Sequence, residues 1–206
     1  MLIRGAARDW RKGEGYLGPR PDGQVRDLIE VMLGSATRIG EALALRKCDV
    51  DMTVDPPVVS VNGTIVVRKG VGLIRQPKPK TDDSNRVVSV PPFAAGIIER
   101  RLAALAHADE DHLLFHTRNG TPLAPHNARR TFRAMLKSVG LDGAEITPHA
   151  FRRTGATLIA REVNIEAAAE VLGHSTTATT KEHYAEPDRS ASPVSATVLQ
   201  KLAPAP

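Results

Sequence analysis

The sequence predicts a mainly α domain carrying a small antiparallel β-sheet, an α+β fold. Three observations predict it. Apolar residues recur at helical spacing on both sides of the chain centre, at Val25, Leu28, Ile29, Met32 and Leu33 and again at Ala128, Phe132, Met135 and Leu136. Between them, residues 52–90 turn to β-branched strand formers: Val58, Val59, Val61, Ile65, Val66 and Val67. The pattern contains no internal repeat and no apolar run of membrane-spanning length.

Each element follows from local signals. Residues 2–12 read as a short basic helix, and 13–23, rich in Gly and Pro, as a loop. A helix starts at Gln24, and Gly34 is expected to interrupt it. A second helix follows Arg38 and buries Ile39, Ala42 and Leu43. Asn62-Gly63 is a strong hairpin turn signal. Residues 71–79 read as the middle strand, 81–85 as the next turn and 86–90 as the third strand. Pro77 and Pro79 argue for an edge position or an irregular end. Helices resume over 94–106 and 126–138. On the latter, Arg129, Arg133 and Lys137 recur at four-residue spacing, with Arg130 beside them, a solvated face or a surface for phosphates. Thr147-Pro148 supplies an N-cap and a first-turn proline. Asn164 caps a further helix that buries Ile165, Ala168, Ala169 and Leu172, and Gly173 suits its left-handed stop. Residues 176–184 form a last short helix. The tail from Asp188 is small residues and Pro around Val198, Leu199 and Leu202.

Composition narrows the function classes. The chain has 206 residues, 41% of them hydrophobic, so it is not disordered and can bury a core without metals or disulfides. A net charge of +5 and a pI near 9.7 fit a polyanionic partner as well as a plainly soluble surface. Cys48 is the sole cysteine, so no intramolecular disulfide forms. The N-terminus lacks a signal-peptide layout, which reads as a cytoplasmic protein with no membrane partner. Its abrupt start reads as a piece of something longer. His107, His112, His116 and His126 are scattered without supporting ligands, so no metal site is expected. No Gly-rich nucleotide loop is present either.

The densest chemistry lies between Thr147 and Tyr184. His149 and Arg152 are three residues apart at the start of a helix, where the N-terminus favours an anion. His174 follows a helix-ending glycine, and Tyr184 is one of two tyrosines. Singly these are an ordinary surface pair, a structural histidine and a packing tyrosine. Together with Arg38 and Lys80 they supply fixed cations, a general acid and a nucleophile, the three aids a phosphodiester needs when no metal helps.

At this point the chain resembles the tyrosine recombinases, the phage integrase family. The matching segments are A-T-R-I-G-E-A-L-A-L (36–45), P-K-T-D-D-S-N-R-V-V-S-V (79–90), F-H-T-R-N-G-T-P-L-A-P-H-N (115–127), T-P-H-A-F-R-R-T-G-A-T (147–157), L-G-H-S (172–175) and Tyr184. The resemblance implies the family's catalytic-domain fold over residues 1–187, with no N-terminal core-binding domain in the chain. It implies that Arg38 and Arg152 hold the scissile phosphate and that Lys80, rather than Lys78, protonates the leaving 5′ oxygen. His149 would assist proton transfer, His174 would hydrogen-bond the phosphate, and Tyr184 would attack to give a 3′-phosphotyrosine. Arg129, Arg130, Arg133, Lys137, Arg153 and Lys78 become candidate DNA contacts. Implied partners are double-stranded DNA and, on it, a homo-tetramer in which residues 188–206 dock on a neighbour; an isolated domain would be a monomer. No cofactor is implied, because transesterification needs neither ATP nor a metal. Arg153 stands where many relatives carry another residue, and the ten-residue gap from His174 to Tyr184 is one longer than the commonest spacing. His183, adjacent to Tyr184, points elsewhere on a helix. A non-catalytic DNA-binding protein of the same fold, a resolvase and a transposon recombinase are the alternatives.

Overall fold

The computed structural model describes residues 2–12, 21–77, 85–141 and 146–173. Helix α1 (Leu2–Asp9) is followed by α2 (Gln24–Ser35) and a single turn, α3 (Ile39–Ala42). Strands β1 (Val50–Asp51), β2 (Val58–Val61), β3 (Gly63–Arg68), β4 (Gly72–Pro77) and β5 (Arg86–Ser89) come next. The chain then runs through α4 (Pro92–Ala104), α5 (Pro125–Ser138), α6 (His149–Glu162) and α7 (Ile165–Leu172). The fold is therefore helical with a small antiparallel β component, as the sequence predicts.

Helix α2 is the centre of the molecule and packs against α1, α4, α5 and α6. Val31 and Met32 on α2, Ile98 on α4, Met135 on α5 and the loop residues Leu114 and Phe115 are sealed from solvent. Each such side chain contributes about 1.5–3 kcal/mol of hydrophobic burial. Gly34 does not interrupt α2; the helix runs through it to Ser35. Its role is close packing, since a Cβ there would stand 2.5 Å from the Ala94 Cβ on α4. What stops the helix is Ala36, in the left-handed region at φ 48°. That conformation costs a non-glycine residue roughly 1–2 kcal/mol.

The sheet differs from its sequence reading. β2, not residues 71–79, is the middle strand, in the order β1-β2-β5, with Val59 opposite both Val50 and Val88. β3 and β4 form a separate hairpin in which Gly63 pairs with Pro77 and Arg68 with Gly72. The chain reverses at Lys69-Gly70-Val71, where Gly70 has φ 80°. Asn62-Gly63 instead carries the chain from one sheet to the other. The Asn62 side chain is engaged elsewhere: it donates to Asp49 at 2.7 Å and accepts from Arg75. Gly63 leaves room for that arginine, whose guanidinium carbon would lie 2.6 Å from a Cβ. Burial pushes the Asp49 carboxyl up, but hydrogen bonds from Arg46 and Asn62 outweigh it and hold the group below its ordinary pKa.

Helices α4 and α5 begin at prolines, Pro92 and Pro125, where the missing N–H is harmless. Helix α6 opens one residue later than the sequence suggests, with Pro148 in the cap position and the Ala150 N–H donating to the Thr147 carbonyl at 2.9 Å. α7 matches its signals: the Asn164 side chain accepts from the Ala167 N–H at 2.7 Å, and Gly173 closes the helix at φ 63°. The expected helix over 176–184 and the tail from 188 lie outside the described residues. Among the described residues, no helix is long and apolar enough to cross a membrane.

Candidate functional site

Arg38 and His149, far apart in sequence, line one cavity of about 590 Å³. Arg38 stands at the N-cap of α3, two residues beyond the left-handed Ala36. His149 is the first residue of α6. Arg129 and Arg133 on α5 complete a cationic wall, and Ile39, Phe132, Leu136 and Ile146 supply its apolar part. Apolar lining lowers the local dielectric and strengthens the field of the guanidiniums on anything bound there.

A carboxylate organises the cations. The Glu41 side chain is only 3% exposed. Its Oε1 accepts from Arg38 Nη1 at 3.0 Å, and its Oε2 accepts from the Arg38 N–H at 3.0 Å and from Arg86 Nη2 at 2.8 Å. Arg152 Nη1 lies 3.8 Å from the same Oε2. Among the described residues three guanidiniums surround this one carboxylate, an excess of positive charge.

Arg152 does not open onto the cavity beside His149. Its side chain is fully buried, with Nη1 donating to the Ala36 carbonyl at 2.7 Å and Nη2 to the Leu172 carbonyl at 2.8 Å. The residues three apart at the head of α6 straddle the edge of its buried face: His149 is exposed, whereas Arg152 points inward with Phe151 and Ala156. Arg152 thereby ties the end of α2, through Ala36, to the end of α7. Among the described residues, no group of three or more His, Cys, Asp or Glu side chains could hold a metal ion.

The profile of the phage integrase family matches residues 22–190 of this chain. The chain belongs to the phage integrase family. It is 31% identical over 180 residues to the tyrosine recombinase XerC of Methylobacterium sp. strain 4-46, a match spanning 85% of this chain and 49% of that protein. The tyrosine recombinase XerA of Thermococcus kodakarensis is 33% identical over 165 residues, spanning 78% of this chain and 51% of the relative. The chain thus spans about half the length of the curated relatives it matches. Among solved structures, the Tn1549 transposon integrase in complex with transposon right-end DNA superposes with a TM-score of 0.74 at 22% identity, covering 98% of this chain and 64% of that one. The XerA recombinase crystal structure superposes with a TM-score of 0.57 at 20% identity, covering 94% of this chain and 68% of that one. The fold is that of these recombinases.

Of the residues the integrase resemblance singles out, the structure brings Arg38 and His149 to one cavity and sets Arg152 behind it. Arg129 and Arg133 are exposed on the cavity wall; Arg130, Lys137 and Arg153 are exposed away from it. Lys78, Lys80, His174 and Tyr184 lie outside the described residues. Glu41 and Arg86 were not singled out from sequence. A signal for Glu41 existed: a carboxylate three residues after Arg38, set among the core residues Ile39, Ala42 and Leu43. Nothing local marks Arg86.

Proposed function

We propose that this chain is the catalytic domain of a site-specific DNA recombinase that breaks and rejoins strands through a 3′-phosphotyrosine on Tyr184. Family membership supports the chemistry. The observation that carries the reading is the meeting of Arg38 and His149 in one cationic cavity, backed by a carboxylate that fixes the arginine.

Arg38 clamps the non-bridging oxygens of the scissile phosphate, where a guanidinium fork matches the geometry and never loses its charge. Arg152, buried behind the cavity, adds its charge to the clamp, and His174 hydrogen-bonds the phosphate. The Tyr184 oxygen attacks phosphorus as the bond to the 5′ oxygen breaks. The phenolic proton passes towards His149, and Lys80 protonates the departing oxygen, so charge and protons balance. A free phenol has a pKa near ~10 and needs this cationic setting to attack at neutral pH. Resealing is the reverse step with the 5′-hydroxyl of the partner strand. One phosphodiester is exchanged for another, so no energy source is needed. Arg129, Arg130, Arg133, Lys137, Arg153 and Lys78 hold the flanking backbone. Exchange between two duplexes calls for a tetramer on DNA, with residues 188–206 docking on a neighbour.

A nicked suicide duplex tests the reading. Incubated with the chain and any upstream domain it natively carries, it should yield a covalent adduct, and mass spectrometry should place the modification on Tyr184. Absence of an adduct, or one that survives Tyr184→Phe, overturns the assignment.

A further inference from the structure

Arg86 opens β5, and its side chain is 7% exposed. Its Nε donates to the Val171 carbonyl at 2.7 Å, and its Nη2 donates to Glu41 Oε2 at 2.8 Å. Its Nη1 is buried with no hydrogen-bond partner among the described residues. One guanidinium therefore joins strand β5, the carboxylate that holds Arg38, and the last turn of α7. The neighbouring carbonyl of that turn, Leu172, is taken by Arg152. Two buried arginines thus grip adjacent carbonyls at the end of α7, and both face Glu41 Oε2.

Packing alone does not account for this residue. A guanidinium this buried is disfavoured in the interior, and an apolar side chain of similar volume is often neutral or stabilising in such a place. What an apolar side chain cannot do is hold Glu41 at a fixed distance from α7. The planar fork can, because its donors diverge in fixed directions.

We propose that Arg86 is a positioning residue for strand cleavage. It acts through Glu41, setting that carboxylate and hence the Arg38 guanidinium in register with the end of α7. The proposal rests on the reading of Arg38 as a phosphate clamp.

The test compares wild type, Arg86→Met and Arg86→Lys, with Tyr184→Phe as control, in the chain with any upstream domain it natively carries. Rates of adduct formation are measured on a nicked duplex with a natural scissile phosphate and on one bearing a neutral methylphosphonate there. Rates are normalised to the folded fraction of each variant. Arg38 answers the negative charge of the non-bridging oxygens, so removing that charge from the substrate removes the need for a well-placed Arg38. Arg86→Met should slow cleavage of the natural phosphate about 10- to 100-fold, the scale of a lost supporting contact, with DNA affinity unchanged. On the methylphosphonate the deficit should shrink by about tenfold or vanish. Arg86→Lys, which keeps the charge but not the fork, should follow the same substrate pattern with a smaller deficit. Equal slowing on both substrates, or a loss that disappears on correcting for unfolded protein, makes Arg86 a packing residue and overturns the proposal. A wild-type chain that forms no Tyr184-dependent adduct on either substrate overturns the recombinase reading instead.

Discussion

Replacing Glu41 with Gln keeps the shape of the side chain and removes its charge. The consequence can be worked from the contacts. Glu41 accepts from Arg86 at 2.8 Å and from Arg38 twice at 3.0 Å, and Arg152 lies 3.8 Å away. Arg38 is 48% exposed, so water screens its share and little stability is lost there. Arg86 is 7% exposed and Arg152 not at all, so both guanidiniums lose, in the interior, the carboxylate they face among the described residues. The new amide also turns an N–H towards groups that only donate. Removing one partner of a buried ion set costs about 3–5 kcal/mol. In a chain of this size each kcal/mol lowers Tm by about 2–4 °C, so Glu41→Gln should melt roughly 6–20 °C below wild type. Thermal and urea unfolding of purified protein measure this directly. The double variant with Arg86→Met should lose less than the two single losses combined, by about 1–3 kcal/mol, because they share one interaction. A loss for Glu41→Gln under about 1 kcal/mol would mean that the cluster is solvated and holds nothing, and the account of how Arg38 is fixed would fail.

Three further outcomes follow from particular contacts. Gly34→Ala should destabilise by about 1–3 kcal/mol, because the added methyl meets the Ala94 Cβ at 2.5 Å. Gly96→Ala, on the exposed side of α4 with nothing within 4 Å, should stabilise by about 0.5–1 kcal/mol; the same sign at both sites in urea unfolding would refute the packing argument. The lowered pKa of Asp49 means that its contribution to stability is fully present above the unfolded carboxyl value, near ~3.9, and is lost as pH falls through the folded value. Asp49→Asn should therefore lower stability at pH 7 and flatten the fall in acid; a wild-type acid slope in the variant would count against it. Arg129→Ala with Arg133→Ala should weaken DNA binding and reduce the slope of log K against log salt by roughly 1 to 2, and an unchanged slope would remove the α5 face from the interface.

The helices were legible because burial imposes a period that composition cannot hide: Leu28, Ile29 and Met32 on α2, and Phe132, Met135 and Leu136 on α5, are buried as their spacing requires. The strand segments were legible, but their pairing was not. An Asn-Gly dipeptide is a turn signal only when its own backbone takes the turn, and here the Asn62 amide is held by Asp49 and Arg75 from other segments. Gly34 misled for a related reason, since glycine breaks a helix in isolation but in a packed one admits a neighbour. The site was legible as far as the family's motifs reach: Arg38 and His149, which they single out, line one cavity. It was hidden wherever the role arises from contacts across the fold. Arg86 meets Glu41 across 45 residues and Val171 across 85, distances at which no local pattern survives. The burial of Arg152 was hidden too, because an arginine is exposed unless a specific set of acceptors awaits it.

The placement of Arg152 bears on how such a site stays assembled before substrate arrives. Guanidiniums crowded about one carboxylate repel one another, and exposed side chains would swing apart into water. This fold resists that by using main-chain carbonyls, which cannot leave, for the two buried arginines and a buried carboxylate for Arg38. Arg152 is pinned by Ala36 and Leu172, Arg86 by Val171, and Arg38 by Glu41 through both its backbone and its side chain. Ala36 accepts one of those bonds from a left-handed conformation that is unfavourable by itself, so the arginine and the strained turn hold each other in place. The resulting excess of positive charge is present at all working pH values, since arginine does not titrate there. On the proposed reading, a phosphodiester entering the cavity meets a field already in position and need not gather it. That is electrostatic preorganisation obtained from backbone geometry, and it explains why arginines, rather than lysines on flexible stems, surround the Glu41 carboxylate.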